Sequence, residues 1–485
     1  MHTRACLALI CLHLTLPASA ALPEPVAQAL AEAGIADSQA GVVVRSLDGR
    51  TLLAHNDTQA FNPASVMKLL TTVAALDTFG PAHTFKTNVW LEGELKEGVL
   101  YGNLILQGGG DPGLTQERFW LLLRELRQRG MREIRGDVVL DNSLYALPQA
   151  DPAAFDQAPL RPYNAPPAAL LVNYNTSLLR LSTHDGAVLA RLDPPAAEVR
   201  IDNRIQSAGE LCNSWGDLLM PRLMPPQLST EGRQEEAGEK ATLALEGRLA
   251  PACGERTLPL NLLPPAAATA AWFGALWREL GGSHTGVVRE GLRAEHARML
   301  LSVDSPPLSQ LVRDVNKFSN NVMAKMLFLN LGLARFGAPA TWVKSEQALR
   351  LWLAEKGLTM PELVIENGAG LSRQTRISAD SLANLLLWAS RQPLHYEFAA
   401  SLPAIGQEGT QKNRFNGNGL SGRAWLKSGT LKHARNLAGY MLNHEKSTLI
   451  VVFLVNAPRA GMAGKAQEAL LLLGMDSSFE QVKKE

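Results

Sequence analysis

Asn62-Pro63-Ala64-Ser65-Val66-Met67-Lys68-Leu69-Leu70-Thr71-Thr72 joins a proline to a long apolar run. Proline is accepted at a helix start, so the stretch reads as a helix running through Leu76, with Ser65 on its first turn. Positions i and i+3 share a helix face, so the Ser65 hydroxyl and the Lys68 amine can meet. Serine alone is a poor nucleophile and needs an adjacent base. Lysine has a reference pKa of ~10.4, so freeing its amine at pH 7 costs roughly 4–5 kcal/mol. Burial and a second cation both reduce that cost. A lone Ser-x-x-Lys is usually a solvated surface pair. Here the apolar surroundings make a surface lysine out of place.

Two distant stretches supply what this pair lacks. Ser319-Asn320-Asn321 lies between helical runs at Leu308–Asn316 and Val322–Leu333. A polar corner there can aim the Ser319 hydroxyl at a leaving amine, and the Asn321 amide at Lys68 and a substrate amide. The plainer alternative is N-capping of the second helix. Lys427-Ser428-Gly429-Thr430 reads as part of a strand. Gly429 leaves room for substrate backbone to pair along the edge. Lys427 with the hydroxyls of Ser428 and Thr430 suits a terminal carboxylate, and Lys427 is the candidate second cation. The amides of Thr430 and Ser65 suit an oxyanion hole. The alternative here is a strand glycine bulge.

The wider sequence sets the context. A chain of 485 residues, 46% apolar and 19% charged, is a well-cored protein of about three domains. The net charge of +1 provides no basic field for nucleic acid or anionic lipid. Residues 1–20 read as a cleaved secretory signal: Arg4, an apolar stretch from Leu7 to Leu16, then Ala18-Ser19-Ala20. Export places the protein in the periplasm or outside the cell. No later apolar run reaches the ~20 residues of a membrane helix, so the mature chain is expected to have no transmembrane anchor and at most a loose membrane association. Removing the signal leaves Cys212 and Cys253, expected to form a structural disulfide in an oxidising compartment. No close Cys/His cluster suggests a metal. Gly108-Gly109-Gly110-Asp111 lacks the Gly-Lys-Ser/Thr of a phosphate loop and reads as a strand-ending turn. Asp151 and Asp156 are candidates for binding an amino group, with a solvated loop the more ordinary reading.

Both chain ends point to one sheet. Gly41–Leu47 and Thr51–His55 form a hairpin around Asp48-Gly49. Arg423–Lys427, Arg435–Leu442 and Ser447–Val455 read as an antiparallel meander to which the hairpin adds. Helices at Pro23–Gly34 and Gly464–Leu473 flank them. The middle, 89–280, has strand stretches at Gly102–Leu106, Gly136–Leu140 and Glu198–Ile201 and an amphipathic helix at Trp120–Arg129. Leu160–Pro167 and Met220–Gln227 are proline-rich and read as loops.

The order Ser-x-x-Lys, Ser-x-Asn, Lys-Ser/Thr-Gly resembles that of the penicillin-recognising serine D-alanyl-D-alanine carboxypeptidases. Ser319 lies 251 residues after Lys68, and this gap is similar to that of the class C low-molecular-mass penicillin-binding proteins (the penicillin-binding protein 4 type). Gly109–Pro112, Asn164–Ala168, Ala334–Gly337 and Gly368–Arg373 are similar too. The resemblance implies an α/β (α+β) fold: a transpeptidase-like, β-lactamase-like catalytic domain with an antiparallel sheet flanked by helices (21–88 and 281–485). The 89–280 insertion would be β-rich, in two sub-domains. It implies cleavage of the terminal D-alanine from peptidoglycan stem peptides, and of cross-links, through an acyl-enzyme on Ser65. It also implies acylation of Ser65 by β-lactam antibiotics, and no cofactor. Two positions depart from the family pattern: Ser428 replaces threonine, and Asn367 stands where aspartate is common. The rival readings are a β-lactamase, for which no Glu-x-x-Leu-Asn is present, and a non-catalytic peptidoglycan-binding protein on the same fold.

Overall fold

The strand Thr448–Val455 is buried at all but its first position, so both its faces need cover. They get it from a five-stranded antiparallel sheet built from both ends of the chain. Its order is Ala424–Leu431, Ala434–Leu442, Thr448–Val455, Ala40–Ser46, Thr51–His55. Side chains alternate between faces. Val43, Ala438, Tyr440, Ile450 and Val452 pack on one face with the helices Lys68–Phe79, Asn321–Phe336 and Ala379–Ser390. Val42, Val44, Leu437, Val451 and Phe453 pack on the other, under the helices Glu24–Glu32 and Gly464–Met475. This is the α/β arrangement expected. The computed structural model describes residues 21–210, 212–213, 215–225, 240–415 and 417–476. The expected signal at 1–20 lies outside them.

A second sheet, seven-stranded, is built on the long hairpin Lys86–Lys96 and Val99–Gly108. Helices Gln116–Gln128 and Pro265–Glu279 cover it, burying Phe119, Trp272, Phe273 and Trp277. It takes in three strands beyond residue 280, namely Ser283–His284, Val288–Glu290 and Arg298–Asp304. The boundary drawn at 89–280 therefore cuts across a sheet that begins at Lys86 and ends at Asp304. Two three-stranded sheets share a further core of Leu179, Leu181, Leu243 and Leu245. Cys212 and Cys253 are bonded there, with Cα atoms 5.3 Å apart. One expected loop is corrected. Leu219–Met224 is a strand despite Pro221, because it is the outer strand of its sheet, where a missing N–H costs little.

The middle part of the chain is tied to the helix Asn321–Phe336 of the first sheet's cover. Asn330, on the helix Asn321–Phe336, donates to Gly110 O at 2.9 Å and accepts from the Tyr145 hydroxyl at 2.7 Å. A Cβ on Gly110 would sit 2.5 Å from Asn330 Oδ1, so the glycine permits this approach.

Candidate active site

Ser65 lies in one 3-10 turn, Ala64–Met67, that feeds the helix Lys68–Phe79. Ala64 is held at φ +48°, a left-handed value that surroundings must impose. Asn62 supplies part of this, its Oδ1 accepting from Ala64 N at 2.9 Å. Its carbonyl accepts from the amides of Asn436 and Asn456, both at 3.0 Å. The turn is thereby fixed to the central sheet.

Lys68 has no exposed surface. Its Nζ donates to Ser65 Oγ at 2.9 Å, Asn321 Oδ1 at 2.5 Å and Ala369 O at 2.7 Å. None of these acceptors is a carboxylate. Burial first, then the charges of Lys427 and Lys325, hold the Lys68 amine well below the ordinary lysine range. The site thus favours the neutral amine that a base requires.

The opposite wall is the corner between the helices Leu308–Lys317 and Asn321–Phe336. Ser319 sits in it at φ +59°. Asn320 is the N-cap, its side chain accepting from Met323 N at 3.1 Å. Capping therefore falls to Asn320, leaving the Asn321 amide for Lys68. Ser319 Oγ accepts from Lys427 Nζ at 2.9 Å. Lys427 is also fully buried, and burial lowers its ammonium to about 7.

Gly429 has a packing reason that the sequence did not reveal. A Cβ there would lie 2.4 Å from Pro63 O and 3.0 Å from Ser65 N. The glycine lets the outer strand lie against the nucleophile turn. Gly370, at φ +74°, does the same from the other side, where a Cβ would meet Ala64 O at 1.8 Å. Between it and Gly368 stands Ala369, whose carbonyl holds Lys68. Asn367 fixes this loop, accepting from Ala369 N at 3.0 Å and donating to Leu371 O at 2.9 Å. An aspartate could make only the first bond.

Six of the expected residues converge: Ser65, Lys68, Ser319, Asn321, Lys427 and Gly429. The hydroxyls of Ser428 and Thr430 do not join the Lys427 ammonium. Lys427 pairs with Ala438, on the Ser65 side of the sheet, whereas Ser428 pairs with Leu437, on the other. Alternation along the strand separates them. Ser428 Oγ instead donates to Thr410 Oγ1 at 3.0 Å. Asp151 and Asp156 serve their own loop. Asp151 accepts from Ala153 N at 2.8 Å, and Asp156 accepts from the Tyr163 hydroxyl at 2.8 Å and from Asn164 Nδ2 at 2.7 Å. That loop still borders the site, since Tyr163 O accepts from Asn321 Nδ2 at 3.4 Å.

Sequence reading missed Lys325. It is nearly buried, donates to Ala165 O at 3.2 Å, and is lowered to about 8 by burial. A lysine one turn after Asn321 in an apolar helix was the available signal. Thr410 and the Ala369 carbonyl carried no signal of their own. A cavity of about 1020 Å³ lies apart from this chemistry, lined by Pro148, Pro159, Leu223 and Pro259. Among the described residues no group of His, Cys, Asp and Glu could hold a metal ion, and no helix is long and apolar enough to cross a membrane.

Comparison with known proteins agrees with this geometry. The pattern of the D-Ala-D-Ala carboxypeptidase 3 (S13) family matches residues 22–473. A D-alanyl-D-alanine carboxypeptidase of Actinomadura sp. (strain R39) is 29% identical over 450 residues, covering 88% of this chain and 79% of the relative. The D-alanyl-D-alanine carboxypeptidase DacB of Haemophilus influenzae is 24% identical over 449 residues, covering 90% and 89%. The crystal structure of penicillin-binding protein 4 from Haemophilus influenzae superposes with a TM-score of 0.75 at 23% identity, covering 93% of this chain and 99% of that one. That likeness shows a shared fold.

Proposed function

The chain belongs to the D-Ala-D-Ala carboxypeptidase 3 (S13) family, and on that premise we propose that Ser65 is its nucleophile and Lys68 the base that activates it. The protein is a D-alanyl-D-alanine carboxypeptidase, a serine peptidase. In our reading the neutral Lys68 amine takes the Ser65 proton as Oγ attacks the carbonyl of the penultimate D-alanine. The N–H groups of Ser65 and Thr430 stabilise the oxyanion. The peptide bond breaks as the proton that Lys68 took passes through the Ser319 hydroxyl, held by Lys427, to the leaving amine, which returns Lys68 to its neutral form. Terminal D-alanine departs, leaving the acyl ester on Ser65. Water then adds to the ester, giving one proton to Lys68. The acid is released, and Ser65 recovers its proton from Lys68.

Asn321 holds Lys68 and a substrate amide. The Ser428 and Thr430 hydroxyls take the terminal carboxylate, with the Lys427 charge behind them through the strand that Gly429 seats. Stem peptides of peptidoglycan are the substrates, cross-links between them are opened by the same chemistry, and β-lactam antibiotics acylate Ser65. A Haemophilus influenzae relative of the same fold has been crystallised with a β-lactam. The sequence of residues 1–20 supports action in the periplasm.

One observation carries the reading: a fully buried lysine, 2.9 Å from Ser65 Oγ, with no carboxylate among its partners. Incubation with penicillin followed by peptide mass mapping should give one stable adduct, on the peptide containing Ser65. Folded protein without an adduct would overturn the assignment. Lys68→Arg keeps the charge but not the base and should slow acylation at least 10²-fold. Near-normal acylation by that variant removes Lys68 from the role.

A further inference from the structure

Arg435 lies directly across from Thr430 in the antiparallel pairing of the two outer strands. Paired side chains share a face, so Arg435 lies on the side of Ser428 and Thr430, away from Lys427. Its guanidinium has no hydrogen bond or ion pair with any described residue, and its Nε is buried without a partner. Arg414 stands beside it. Arg414 donates to Gln467 Oε1 at 2.7 Å and to Gln411 Oε1 at 3.3 Å, and lies 4.5 Å from the Phe415 ring. Gln467 is fully buried and ties the pair together, donating from Nε2 to Arg435 O at 3.1 Å.

Two arginines thus meet at the neutral Gln467 amide, close enough for their charges to act on one another. Burial and the Arg435 charge lower Arg414 to about 10. The nearest acid on the Gly464–Met475 helix, Glu468, is engaged by Asn418. Lys432 and His433, at the turn between the two strands, are exposed and bring no negative charge. Paired cations without a counter-charge are costly in a protein, and guanidinium forks suit carboxylates.

We propose that Arg414 and Arg435 form a second anion subsite on the leaving-group side, taking a carboxylate carried by the released part of the peptide. This rests on the reading of Ser428 and Thr430 as the terminal-carboxylate site. Any group extending past that carboxylate meets Arg435 next. A single leaving D-alanine has nothing to place there. A leaving residue with an acidic side chain, or a second stem, does.

The test uses the full chain and three peptides alike except for the leaving residue: D-Ala, D-Glu or D-Gln. The unaltered protein should favour D-Glu over its neutral isostere D-Gln by roughly ten-fold in kcat/KM, mostly through KM. Arg435→Gln should bring that ratio close to one, and Arg435→Lys should keep part of it. A merely structural arginine would change both rates together and leave the ratio alone. Equal rates on D-Glu and D-Gln peptides in the unaltered protein overturn the subsite, whatever the variants do. A ratio that survives Arg435→Gln overturns it as well. Cleavage of the D-Ala peptide without preference sinks this proposal alone. Failure on all three, with no penicillin adduct on Ser65, sinks the reaction assignment too.

Discussion

In the proposed mechanism Lys68 must be neutral before Ser65 can lose its proton, and three features lower its pKa towards that: burial, Lys427 and Lys325. Lys325 is the one whose removal leaves the Ser65 hydrogen bonds intact, since its own partner is the Ala165 carbonyl. Lys325→Met should therefore raise the Lys68 pKa. The amine then protonates at higher pH, and the acid limb of the penicillin acylation profile moves upward. Lys427, lowered to about 7, adds an ionisation of its own to the profile, so the decisive quantity is the displacement between variant and parent. Stability should move the other way. Lys325 is lowered to about 8 from 10.5, so between these values the unfolded chain binds more protons and stability rises with pH. Below pH 8 the full cost of the buried charge applies, and methionine removes it, a gain of about 1–3 kcal/mol at pH 7. Thermal melts and acylation profiles across pH 5–9 check both halves, and an unmoved acid limb would show Lys325 to be electrostatically silent. The Ser65–Lys68 pair was legible because helical spacing alone brings i and i+3 together. Lys325 and Arg435 were not, because their burial and missing counter-charges arise from packing.

At the level of elements, the site is a meeting of one turn, one helix corner and one outer strand, and glycines set how close they come. Gly429→Ala places a methyl 2.4 Å from Pro63 O, so either the strand or the Ser65 turn must shift. Overpacking of this kind costs about 1–3 kcal/mol, but the functional loss should be larger. A displacement near 1 Å at a reacting centre lowers rate by about 10²-fold. Acylation of Gly429→Ala by penicillin should fall by that order while most of the protein stays folded at 25 °C. An alanine variant with normal acylation would show that the strand can move away without disturbing Ser65. The strand itself was readable from its alternation, as were both hairpin strands and the closing helix. Its glycine's partner was not, because Pro63 and Gly429 meet only in the tertiary fold. The strand Leu219–Met224 went unread because proline is scored as a breaker until the strand's edge position is known.

At the level of the molecule, the chain divides its labour. One sheet made from both chain ends carries the proposed active site, and the sheets between them rest on its helices through contacts such as Asn330 to Gly110. The large gap between Lys68 and Ser319 pointed in sequence to an insertion, but hydrophobic pattern could not show that strands beyond residue 280 pair back to Lys86–Lys96, Glu133–Arg135 and Val138–Asp141. The disulfide tests how independent the parts are. Cys212 and Cys253 are 41 residues apart and lie in the core of the two small sheets, which shares no residue with the core behind Ser65. Closing a loop of that length removes unfolded-state entropy worth about 4 kcal/mol in the chain-entropy account. Replacing both cysteines by serine should therefore lower the melting temperature of the inserted part and leave the penicillin acylation rate at 25 °C within about two-fold of the parent. Calorimetry should resolve an earlier transition that is insensitive to prior acylation of Ser65. If the variant melts in a single lowered transition and loses acylation in step, the inserted sheets and the catalytic core fold as one unit, and the contacts at Gly110 and Tyr145 are part of what holds the active site in shape.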